Sequence, residues 1–141
     1  MYRDTITLFN RVAGIQNDTW IPTVIHGVNL NIDRAAILAK YRAESQDNAM
    51  LYIRYKTLDG DVFIGEKRWI LPKSWKAADG TLTFATTGDF FWKGEWTGES
   101  VSDADYRDGF YSWMNKTHDN VFAITGVAKY SLIPHFEVMG K

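Results

Sequence analysis

From Val24 to Ile32 the chain alternates with period two. Val24, His26, Val28, Leu30 and Ile32 face one way, and Thr23, Asn29 and Asn31 face the other. A β-strand turns successive side chains to opposite faces, so this pattern predicts a half-buried strand. Such a strand needs partners for both its backbone and its apolar face, which commits the chain to a packed sheet. Gly27 inside the run marks a bulge or bend. His26 falls on the apolar face and is expected as a hydrogen-bonded core histidine.

Other segments supply the partners. Thr5–Asn10 alternates with Ile6 and Leu8 on one face. Gly14–Asp18 is a turn. Met50–Tyr55 is a strand with apolar residues on both faces, and after the Asp59-Gly60-Asp61 turn Val62–Ile64 is a short strand. Val121–Val127 and Leu132–Val138 close the chain as two more, with Pro134 placing the last one at an edge or at a non-bonded position. Between Thr83 and Trp96 two strand pieces flank Gly88-Asp89, and Phe90-Phe91-Trp92 brings enough apolar surface to organise the core, at about 25 cal/mol per Å² buried.

Helix is scarce. Ala35–Lys40 favours one or two helical turns, which Ser45–Asn48 does not sustain, so Asp33–Ala49 reads as a long connection. Pro72 opens a short helical turn in Ile70–Trp75. The Ser-Val-Ser-Asp-Ala-Asp run ending at Asp105 resembles a helix start, and Tyr106, Phe110, Trp113 and Met114 follow at helical spacing, weakened by Gly109. About six strands with one or two short helices predict an all-β fold: a small antiparallel barrel or sandwich, one domain over residues 1–141.

Residue chemistry excludes more than it assigns. The formal net charge is −1 and the pI about 6.3, so no global field recruits nucleic acid or an anionic membrane. There is no cysteine, hence no disulfide or thiol chemistry. Neither a signal-peptide core nor an apolar run of membrane length is present. His26, His118 and His135 lie on separate segments without metal-ligand spacing, and the glycines form no phosphate loop. Asp103, Asp105 and Asp108 suit a first helical turn, and Asp59 and Asp61 a turn, better than acid–base catalysis. No catalytic residue, metal, cofactor or small-molecule ligand is therefore expected. Six tryptophans raise a stacking platform for carbohydrate or nucleic acid, with Trp69 and Trp75 or Trp92 and Trp96 beside Lys67, Arg68, Lys73, Lys76 and Lys93. Core packing and subunit contact explain these four tryptophans better, since interfaces also favour aromatics.

Several segments, taken in order, resemble the head–tail connector or head-completion proteins of phages and prophages of Gram-positive hosts, the minor-capsid type. They are Asp4–Asn10, Trp20 with Thr23–Val28, Leu71–Trp75, Gly88-Asp89 with Lys93–Glu95, Phe122–Val127 and the tail His135–Lys141. The resemblance covers most of the chain, and the order of the segments with the terminal His-Phe-Glu-Val-Met-Gly-Lys carries it. It implies a small barrel without enzymatic activity, assembled as a homo-oligomeric ring (hexamer or dodecamer) in the virion neck. The implied partners are portal or adaptor and tail proteins, with no membrane, and assembly would take place in the host cytoplasm. In stopper-like members a long loop reaches into the channel and retains packaged DNA. Here that loop would be Asp33–Ala49, with Arg34, Lys40, Arg42 and Gln46 toward the DNA. A tail or baseplate component and a tryptophan-based binding module are the alternatives.

Overall fold

A computed structural model describes residues 2–33 and 48–141. Six strands make a closed antiparallel barrel, the all-β architecture expected: β1 (Asp4–Val12), β8 (Phe90–Trp92), β10 (Val121–Tyr130), β11 (His135–Gly140), β3 (Ala49–Arg54) and β2 (Thr19–Ile32). The order β1-β8-β10-β11-β3-β2 returns to β1 through the long β1–β2 ladder, which runs from Val12↔Thr19 to Asp4↔Val28. Closure removes the unpaired edges that an open sheet would present. A short strand, β9 (Val101–Ser102), adds to β2 at its start.

The strand that opened the sequence reading is where expectation and structure part. The β1–β2 register slips between Asp4 and Thr5, opposite Gly27, which adopts φ +70°. This bulge inverts the alternation. Before it Thr23 and Ile25 are buried, and after it Val28 and Leu30. Val24 and His26 therefore leave the core face, and His26 is not a core histidine. Its ring is exposed, with Nδ1 at 3.1 Å from the Thr5 hydroxyl.

Inside the barrel, Ile6, Leu8, Ile25, Val28, Leu30, Leu51, Ile53, Phe91, Phe122, Ile124, Phe136 and Val138 form one continuous core. Gly140 belongs to it through lack of a side chain: a Cβ there would lie 2.7 Å from Phe122 Cβ and 2.9 Å from the Phe91 ring. The core extends under a second sheet of β4 (Lys56–Leu58), β5 (Asp61–Ile64), β6 (Lys67–Trp69) and β7 (Thr81–Leu82). Tyr55, Ile64, Leu82 and Phe84 carry the contact. Asp59 (φ 52°) and Gly60 (φ 84°) form the two-residue β4–β5 turn, the left-handed pair that strand twist favours.

On the outer face a second, aromatic core unites Phe9, Trp20, Phe90, Phe110 and Met114. Adjacent residues Phe90 and Phe91 thus serve opposite sides of the barrel wall, as a strand requires. The helix here, α1 (Phe110–Thr117), starts at Gly109 (φ 90°) rather than before it, and Asp103–Asp105 is a separate 3-10 turn capped by Ser102. Asp103 ties the unit together, its Oδ1 accepting from Trp20 Nε1 at 2.7 Å and from the Phe110 amide at 2.9 Å.

Two other boundaries move, and the last strand is not at an edge. The strand piece expected within Thr83–Thr87 is irregular chain, and the strand lies just before it at β7. Leu132 and Ile133 belong to an exposed turn, since β11 begins only at His135. β11 is flanked by β10 and β3, so it is not an edge strand, and Pro134 lies in the turn where no ladder donor is needed.

Candidate functional site

Asp89 sits where β1, the 83–89 segment and β8 meet. Its Oδ2 accepts from Asn10 Nδ2 at 2.8 Å and from the Ala85 amide at 3.0 Å, and its Oδ1 from the Arg11 amide at 2.8 Å. Asn10 Nδ2 also donates to the Thr83 carbonyl at 2.7 Å. Desolvation raises the carboxyl pKa above the usual range, and the donors from Arg11, Asn10 and Ala85 offset that in part. A carboxylate enclosed by three donors is a bracket. It holds the 83–89 segment against β1 and fixes the floor of a cleft.

Two adjoining hollows make up this cleft, sharing Pro72, Ala85 and Thr87. The polar hollow, about 420 Å³, is lined by Arg11, Trp75, Lys76, Thr83 and Asp89 among others. The apolar hollow, about 840 Å³, has Trp69, Leu71, Phe84, Val127 and Phe136 for walls, with Lys73 and Lys129 among its polar residues. The hydrogen-bonded turn at Pro72–Ser74 (Ser74 amide to Leu71 carbonyl, 2.9 Å) forms the lip between them. Pro72 thus does open a tight turn, and that turn projects Leu71 outward.

The four tryptophans singled out in the sequence divide between two places. Trp69 packs on Phe136 at 5.0 Å between centroids and Trp75 lines the polar hollow, so this pair belongs to the cleft. The Nε1 atoms of both are buried without a partner among the described residues. Trp92 and Trp96 lie instead in the outer aromatic core. Trp96 meets Phe9 and Phe110 edge-on at 5.6 and 5.3 Å, and Trp92 meets His118 at 5.0 Å. Arg34, Lys40, Arg42 and Gln46, the expected channel residues, lie outside the described residues. Of the described residues on either side, the Asp33 amide donates to the Asn48 carbonyl at 2.9 Å.

Leu71, Phe84, Val127 and Lys129 are not legible in the sequence as cleft residues, because three separate segments contribute them and no local spacing links these. His135 has two acceptors that the sequence does not show. Its Nδ1 lies 2.7 Å from the Ile133 carbonyl and its Nε2 2.9 Å from Glu137 Oε2. Those two acceptors, Glu137 first, raise its pKa. Among the described residues no group of three or more His, Cys, Asp or Glu side chains could hold a metal ion, and no helix is long and apolar enough to cross a membrane.

Over residues 1–141 the chain matches the family model described as a family of unknown function (DUF6751), and it belongs to that family. No curated protein and no solved structure matches it.

Proposed function

We propose that this member of the DUF6751 family is a structural subunit of a phage neck: a ring-forming head–tail connector, of the stopper or head-completion type, that joins the portal complex to the tail. One observation carries the reading. A closed barrel has no free sheet edge in its wall to assemble through, and this one sets large apolar side chains at the tips of its turns instead. Leu132 is 97% exposed and Ile133 73% in the β10–β11 turn, Leu58 is 63% exposed at the end of β4, and Leu71 is 60% exposed on the cleft lip. Large apolar side chains exposed at several turns fit burial against neighbouring subunits. The ordered resemblance along the chain supports the same reading.

The rival tryptophan-based module is less well supported. Trp92 and Trp96 spend their faces on Phe9, Phe110 and His118. A near-neutral chain also lacks the phosphate-neutralising charge that drives non-specific nucleic-acid binding.

Deleting the gene from its phage or prophage tests the proposal. The expected lysate contains DNA-packaged or leaking heads and separate complete tails, and complementation restores joined particles. Joined, infectious particles without the protein would refute it. In wild-type particles the protein is expected in the neck, at the copy number of a ring.

A further inference from the structure

The apolar hollow and the β4–β5 turn both expose apolar surface, and their charged side chains are of opposite sign. The hollow has walls of Trp69, Leu71, Phe84, Val127 and Phe136, and the ionised side chains that line it, Lys73 and Lys129, are both cations. The turn Leu58-Asp59-Gly60-Asp61 presents the reverse arrangement: one large apolar side chain, 63% exposed, flanked by two carboxylates. Its shape is fixed in advance by the left-handed Asp59 and Gly60 and by the Leu58↔Asp61 pair that closes it. Asp61 is also held by Arg68 at 3.8 Å. A pre-formed knob loses little conformational freedom on docking. None of the turn residues lines the hollow of its own chain.

We infer that the apolar hollow is the docking site for the β4–β5 turn of a second copy of this chain, with Leu58 seated against Trp69, Leu71 and Val127 and the turn carboxylates facing Lys73 and Lys129. Such a contact joins two different surfaces of identical subunits. It is heterologous, and it propagates from copy to copy until the rotation closes a ring. The inference deepens the ring-subunit reading by naming the surfaces, and it can fail while that reading stands.

Two broken variants decide it, and both change exposed residues, so folding is checked by thermal melts and circular dichroism. Leu58→Lys destroys the knob and leaves the hollow. The double variant Leu71→Asp, Lys73→Glu destroys the hollow and leaves the knob. Sedimentation velocity is run on wild type, each variant alone, and an equimolar mixture. Wild type is expected to self-associate, and each variant alone to lose at least tenfold in association. The mixture, which has one intact knob and one intact hollow, is expected to form one-to-one dimers and nothing larger. If wild type assembles and either variant assembles equally well, the docking site is refuted and the ring is built through other surfaces. The same holds if the mixture stays monomeric. A wild-type chain that is monomeric at every concentration up to the solubility limit also overturns it, because the occupant of the hollow is then not a second copy.

Discussion

Both ring nitrogens of His135 face oxygen acceptors, the Ile133 carbonyl and Glu137, so only the doubly protonated ring donates to both. Tyr130 stacks on the same ring at 4.9 Å and nearly parallel, which also favours the cation. Arg54, paired with His135 across β3, opposes it, though its guanidinium sits over the Tyr2 ring at 4.3 Å. The folded pKa is raised, so the stabilisation is fully present below the unfolded value near ~6.5 and is lost as pH rises through the folded one. Thermal midpoints should accordingly fall as pH is raised from about 6 through the raised folded pKa. His135→Gln should flatten that slope, and an identical slope in the variant would remove His135 as its source. Asp89 makes a second test. Asp89→Ala strands donors from Asn10, Arg11 and Ala85 and should cost about 3–5 kcal/mol in urea unfolding, whereas a loss below about 1 kcal/mol would contradict the bracket. Neither role was legible in the sequence. Asp89 reads there only as a turn residue after Gly88, and its partners lie 78 or 79 positions away on β1 as well as nearby at Ala85.

At the scale of elements, alternation located the strands and failed where a single backbone feature resets it. The alternation marks Val24–Ile32 as a strand, but a single phase carried through Gly27 places His26 inside, where the structure does not. The phase change depends on φ at one residue, which composition does not encode. Gly27→Val should therefore be costly, by about 1–2 kcal/mol or more, because a β-branched side chain resists positive φ. A neutral result would mean that β2 straightens without the bulge. In β11 the alternation from Phe136 onward is right, and its extension back to Leu132 is not. Phe136 is fully buried against Tyr55, Trp69 and Phe84, so Phe136→Ala should cost about 3–5 kcal/mol, and an unchanged midpoint would remove it from the core. The second sheet was legible only at its Asp-Gly turn and at Val62–Ile64. β6 reads Lys-Arg-Trp and β7 has two residues, too little for any periodicity to register.

For the whole molecule, strand count and the lack of a long helix predicted an all-β domain but left barrel and sandwich open. Three-residue β8 decides between them, bridging β1 and β10 through Phe90, Phe91 and Trp92. A segment that short carries its information in aromatic bulk on both faces. The cleft has the same origin, since it lies where β1, β6, the Pro72 turn, the 83–89 segment, β10 and β11 converge. Leu58, Leu71, Leu132 and Ile133 are exposed at turns, and the proposed assembly would bury them. The most direct measurement is mass photometry of the purified portal complex, from the same phage or prophage, titrated with this chain. The proposed function predicts a discrete added mass at saturation equal to one ring, six or twelve copies, with no intermediate ladder once assembly is cooperative. A portal peak that stays at its own mass, with the chain remaining free at every ratio, would contradict it.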